Sequence, residues 1–137
     1  MTVTAYGTLV EYLAATELTT SLAGVDIVAR EPSANVHPPA SRMGGLILVC
    51  THVGSTNDTA LDLRVYVNPG DGVFYHLPAL NWAIAVPANG VTYKRHIRVP
   101  LRHWETTVRV HAKVTGGTGT STIQVQGRTA NFTPFGA

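Results

Sequence analysis

Six histidines, His37, His52, His76, His96, His103 and His111, are the side chains of this sequence best equipped for chemistry. Imidazole can bind a transition metal or move a proton near neutral pH. Their spacing builds neither device. The sequence contains no HxH, no HxxxH and no Cys-x-x-Cys. His111 lies between Arg109 and Lys113 in "TTVRVHAKV", and nearby cations disfavour another cation. The expectation is histidines that face solvent or an interface, with no metal. Paired carboxylates would suit glycoside hydrolysis, and Asp58, Asp62, Asp71 and Glu105 are the mid-chain candidates. Asp58 and Asp71 lie in turn-like stretches, where aspartate serves the backbone, and Asp62 alternates outward. No Gly-x-Ser-x-Gly occurs. The stretch "GGTGTS" lacks the Gly-Lys-Thr ending and following helix of a phosphate loop, so it reads as a hairpin tip. Cys50 follows "LILV", which marks a small buried apolar residue, and a single cysteine forms no internal disulfide. No catalytic residue, cofactor or metal ligand is expected, and the chain reads as non-enzymatic.

The elements that would hold these side chains are strands. Period-2 alternation recurs and helical periodicity hardly appears. "ALDLRVYV" places Leu61, Leu63, Val65 and Val67 on one face and Asp62, Arg64 and Tyr66 on the other, and stops at "NPGDG". "TTVRVHAKV" does the same with Val108, Val110, Ala112 and Val114. "VFYHLPAL", "WAIAV", "VTYKRHIRV", "TIQVQGRT" and "VDIVAR" are further strand candidates, with Pro100 expected to stop the third. "PANG" offers Asn89-Gly90 for a turn with positive φ. The nearly continuous apolar run "GLILVCTHV" suits a central strand buried on both faces. Only "GTLVEYLAATELTTSL" is ambiguous, and its threonine-rich flanks favour extended chain.

Seven to nine short strands with Gly, Pro and Asn punctuation predict an all-β fold, an antiparallel sandwich of jelly-roll or immunoglobulin-like type. Leu46, Leu48, Leu63, Val65, Val108 and Val110 are the expected core. Residues 36–137 are read as the sandwich domain and 1–35 as an amino-terminal extension belonging to an assembly interface. "SANVHPPAS" is the best internal loop and a candidate hinge. The start of the chain lacks a basic flank followed by a long apolar run, so no signal peptide is expected. No apolar run approaches the ~18 residues of a membrane helix.

Charge points to a partner. Charged residues make up 13% of the 137 residues, with a net charge of +2, against about 25% in ordinary domains. Such a surface suits a protein partly covered by neighbours. Residues 94–113 hold six of the ten basic residues against one acid, whereas the first 31 hold four acids and one base. Arginine outnumbers lysine, and Arg, Trp and Tyr anchor protein interfaces. Within "YKRHIRVPLRHW" and the next strand, the candidate interface residues are Tyr93, Arg95, Arg98, Arg102, Trp104 and Arg109. Nucleic acid is disfavoured by the small net charge and scarce lysine. A carbohydrate-binding face around Trp82 or Trp104 is the alternative of another class.

The residues 36–127 also carry a rhythm. "LILVCTHVGST", "LDLRVYVNPGDG", "AIAVPANGVTY" and "VRVHAKV" follow one another in order. This resembles small β-sandwich virion proteins of tailed bacteriophages. The resemblance implies a structural part of the particle, made in the host cytoplasm and residing in the virion. A capsid decoration (cement) protein comes first and a neck or tail component second. It implies partners that are other copies of the chain, as a trimer or higher, and a major capsid or neck/tail protein, with no membrane. The longer amino-terminal segment and the Arg/His-rich strand depart from that rhythm.

Overall fold

The computed structural model describes residues 2–6, 9–28, 43–55, 60–101, 107–115 and 121–133. The strands run β1 (Thr2–Tyr6), β2 (Val10–Glu17), β3 (Ala23–Val28), β4 (Met43–Val53), β5 (Leu61–Asn68), β6 (Tyr75–His76), β7 (Trp82–Ile84), β8 (Thr92–Leu101), β9 (Thr107–Val114) and β10 (Thr122–Thr133). Eight of these have five residues or more. A short 3-10 helix at Pro78–Leu80 separates β6 from β7; Pro78 lacks a donor and presets φ for a helical first turn.

The first sheet is ordered β8-β4-β10, with β2 and β1 sharing the far edge of β10. The second is ordered β3-β9-β5, with β6 and β7 sharing the far edge of β5. All pairings are antiparallel. When β6 and β7 are taken together as one position, the sheets from β2 onward read first-eighth-third-sixth and second-seventh-fourth-fifth. That is the two-sheet double Greek key of a jelly roll, which decides between the two sandwich types the sequence allowed. Residues 1–35 contain β1 and β2 of one sheet and β3 of the other.

The core forms where the two inner faces meet. β4 contributes Leu46, Leu48 and Cys50, β8 Ile97 and Val99, and β10 Ile123 and Val125. The second sheet answers with Leu61, Leu63, Val65, Val67, Val108, Val110, Ala112 and Val114, plus Ile27 and Trp82. All six expected core residues are at most 1% exposed. Alternation decides this outcome, because successive side chains point to opposite faces. The ambiguous amino-terminal segment is the extended β2, packing Tyr12 and Leu13 against the core. Gly127 lies where β10 passes between β4 and β2. A Cβ there would sit 2.9 Å from the Ile47 carbonyl and 3.2 Å from the Tyr12 ring.

The structure corrects several sequence expectations. β8 does not stop at Pro100 but runs through it to Leu101. Among the described strands β8 pairs only with β4, and proline is tolerated on such an edge. Of "VFYHLPAL", only Tyr75 and His76 pair as strand. "TGGTGTS" is not a hairpin tip, because the strands on either side, β9 and β10, lie in different sheets; its residues 116–120 lie outside the described residues. The "SANVHPPAS" segment lies outside them as well. The turns hold: Gly70, Gly72 and Gly90 take φ of 101°, 83° and 72°. β4, expected to be buried on both faces, is covered on only one. Leu46, Leu48 and Cys50 are buried, but Ile47 and Val49 are half-buried on the outer side.

Candidate interaction surface

The outer face of the first sheet is built in rows by register. β4 stands between β8 and β10, and each outward residue of β4 has a neighbour on both sides. Arg98, Ile47 and Arg128 form one row, His96, Val49 and Gln126 the next, and Lys94, Thr51 and Gln124 a third. Neighbouring strands lie about 4.8 Å apart and outward residues of one strand about 6.8 Å apart. The two arginines of the first row are therefore carried on backbones roughly 10 Å apart, with an isoleucine between them. Ile47, Val49, His96, Arg98 and Arg128 line a shallow depression of about 600 Å³. Its floor is apolar and its margins are cationic. The described acids of β2, Glu11 and Glu17, pair by register with Gln126 and Thr122 of β10, and Glu11 accepts a hydrogen bond of 2.8 Å from Gln124.

The outer face of the second sheet carries two arginine–aspartate ion pairs. Arg109 donates from Nε and Nη2 to the two oxygens of Asp26 at 2.8 and 3.1 Å, and its guanidinium lies 3.7 Å from the Phe74 ring centroid. Hydrogen bonding from Arg109 holds the Asp26 carboxyl below its ordinary value against a smaller opposing effect of burial. His111 stands 3.8 Å from the same carboxylate and meets Tyr66 edge-on. Burial first, and Arg109 second, hold the His111 imidazole below its ordinary value; the attraction of Asp26 is outweighed. Arg64 donates to Asp62 at 3.0 Å, and Lys113 lies opposite Asp62 in register.

The candidate interface residues scatter across these surroundings. Arg95 and Arg98 are exposed, and Arg98 lines the depression. Tyr93 points inward: its ring lies 6.3 Å from that of His52, and its hydroxyl accepts a 3.0 Å hydrogen bond from the Ala88 amide. It holds the turn before β8 in place. Arg109 is on the other sheet, in the ion pair just described. Arg102 and Trp104 lie outside the described residues. Sequence reasoning missed Ile47, Val49 and Arg128. Arg128 is thirty positions beyond Arg98, and only the register through β4 makes them neighbours. The alternation of Gln124, Gln126 and Arg128 in "TIQVQGRT" carried the signal that they share a face.

The remaining candidates separate by burial. His52 is not solvent-facing: it is fully buried, with Nδ1 3.0 Å from the Thr122 carbonyl, because its position in β4 falls on the inner phase. His76 is exposed and 2.7 Å from Asn81 Oδ1, and His96 is exposed. His37 and His103 lie outside the described residues. Cys50 is buried, and desolvation pushes its thiol up to about 12, a value that keeps it protonated and unreactive at neutral pH. Trp82 is 6% exposed and packs in the core, so it offers no platform for a sugar. Among the described residues, no group of three His, Cys, Asp or Glu side chains could hold a metal. Among them also, no helix is long and apolar enough to cross a membrane.

No protein-family model and no curated protein matches the sequence. Solved structures do match the fold. A chain in the structure of infectious bursal disease virus, Gx strain, aligns over 92% of this chain with a TM-score of 0.52 and 11% identity. A chain from the Gt strain of that virus aligns over 93% with a TM-score of 0.39 and 14% identity. This chain spans about a third of the length of each, 32% and 30%. The Gx likeness is one of fold: the sandwich is shared with a chain of a virus structure.

Proposed function

We propose that this protein is a non-enzymatic structural subunit of a virus particle that acts by burying surface against neighbouring copies. The observation that carries the reading is the apolar-floored, arginine-flanked depression on the outer face of β8-β4-β10. Apolar contact framed by arginine is the composition of protein interfaces, whereas an enzyme site needs convergent acid, base or nucleophile groups. The jelly-roll topology and its likeness to a chain of a virus structure support the same class, although a fold alone does not assign a function. Within that class, the sequence rhythm shared with tailed-bacteriophage virion proteins favours a capsid decoration protein, with a neck or tail component second. The partners are then further copies of the chain and a major capsid or neck/tail protein, and the protein resides in the virion.

The test is incorporation into particles together with sedimentation of the purified protein. Arg98→Ala with Arg102→Ala should remain folded yet incorporate poorly, as should deletion of residues 1–8 if the amino-terminal segment belongs to the interface. A specific interface should bury about 1,000 Å² or more. Parent protein that stays monomeric, never enters particles and binds oligosaccharides would replace this reading with the carbohydrate-binding one.

A further inference from the structure

The sandwich has two lateral edges, and they differ in shape. In the first sheet β8 and β2 stand at opposite edges, and in the second sheet β7 and β3 do. Residues 85–91 join β7 to β8, and residues 18–22 join β2 to β3. The chain therefore crosses between the sheets at both edges.

At the β7–β8 edge the crossing projects. "WAIAVPANGVT", residues 82–92, carries no charge. Val86 is 80% exposed, the most exposed large apolar side chain among the described residues, and Val91 is 42% exposed. The loop is nonetheless fixed to the fold. Pro87 is buried, the Gly90 amide donates to the Gly54 carbonyl at 2.9 Å, and the Gly54 amide donates to the Val91 carbonyl at 3.0 Å. The Ala88 amide is held by the Tyr93 hydroxyl. An apolar side chain on an ordered backbone loses little conformational entropy when it docks.

At the β2–β3 edge the crossing recedes. Leu13, Leu18, Ala112 and Ile123 line a cavity of about 150 Å³, joined by Ala23 and Glu17. An apolar cavity of roughly that size accepts benzene, and the isopropyl group of a valine is smaller. The two edges also differ in sign. Lys94 and Arg95 follow the projecting loop on β8, and both are exposed. Glu17 at the cavity is exposed as well. Among the described residues, none of these three side chains is taken up by a hydrogen bond or ion pair.

We propose that Val86 of one copy inserts into the cavity between β2 and β3 of a second copy, with Lys94 and Arg95 of the first facing Glu17 of the second. The partner is another copy of this chain, and the inference rests on the assembly reading above. The contact is separate from the depression on the outer face of β8-β4-β10. Apolar insertion supplies the anchor, and the surrounding charges set its register. Because the two surfaces lie at opposite edges, the contact is heterologous and propagates sideways into a ring or an open array.

The experiment is sedimentation velocity over a concentration series at low salt, with circular dichroism to verify the fold. Val86→Asp changes an exposed side chain and should raise the self-dissociation constant at least tenfold. Ala23→Phe fills the cavity from its own chain and should do the same. Glu17→Lys should weaken association, as should Lys94→Glu with Arg95→Glu. Combining these three charge reversals should restore association toward the parent value, an outcome that loss of folding cannot produce. If the parent associates and Val86→Asp and Ala23→Phe associate equally well, or if the combination restores nothing, the contact is wrong while the assembly reading stands. If Ala23→Phe weakens association and Val86→Asp does not, the cavity receives another segment and the proposal fails. A parent that stays monomeric at the highest attainable concentration overturns both the contact and the assembly reading.

Discussion

The two sheets present the same kind of inner face and opposite kinds of outer face. Inside, both alternate Leu, Val and Ile into one shared core. Outside, β3-β9-β5 pairs two of its arginines within the chain, Arg109 with Asp26 and Arg64 with Asp62. The outer face of β8-β4-β10 sets arginine on both sides of a half-buried isoleucine. Charge that is matched inside the chain works for the fold. Arginine framing an apolar floor is the composition that the proposed assembly contact would use. Mutations should therefore divide: those on the second sheet's outer face alter stability, and those on the first sheet's alter association.

The largest effects should come from the inner faces, where the sheets do not differ. Val110→Asp places an unpaired charge at a site 1% exposed and should prevent folding, because such a charge costs several kcal/mol or more. A soluble variant with native circular dichroism and an unchanged melting temperature would refute the register. Leu48→Ala and Leu63→Ala, one from each sheet, should each cost about 2–5 kcal/mol in urea unfolding. A large difference between them would show that one sheet carries the core more than the other.

Smaller effects separate the outer faces. Asp26→Ala strands Arg109 and should lower stability by up to about 1 kcal/mol, the scale of a partly exposed pair; the Asp26 side chain is 43% exposed. Arg98→Ala should leave unfolding within about 0.5 kcal/mol of the parent, as surface changes usually do, and weaken association instead. Equal stability losses for the two would erase the distinction.

The pH dependence sharpens it further. The folded-state values of His111 and Asp26 both lie below the ordinary ones. The unfolded chain therefore takes up these protons first, and stability falls with acidification. The His111 contribution is complete above its unfolded value of 6.5 and diminishes as pH falls from there through the folded value. The Asp26 contribution begins to fade only as pH drops below 3.8. Denaturation midpoints measured downward from neutral pH should fall in these two stages. His111→Gln should remove the upper one, and Asp26→Asn should shrink the lower, to which Asp71, also held below its ordinary value, contributes as well. A profile in His111→Gln identical to the parent's would mean another group titrates there.

Much of this molecule is set by local sequence. The alternation in "ALDLRVYV" and "TTVRVHAKV" determines which side chains enter the core, because a strand's side chains must alternate between faces whatever its neighbours are. "NPGDG" and "PANG" determine turns, because glycine reaches positive φ without a steric cost. The low charge and the arginine excess are a composition that suits contact with neighbours. What the sequence leaves open is which strands are neighbours. "LILVC" looks doubly buried because hydropathy cannot tell a covered face from a half-buried apolar outer face. Nothing local in the sequence puts Arg109 beside Asp26; strand pairing brings them together from more than eighty positions apart. Arg98 and Arg128 become one site only through β4, which both of their strands flank. Pairing is settled by long-range packing and hydrogen bonding of the backbone, and those depend on the whole chain, so the two faces acquire their different characters only once the sheets have closed.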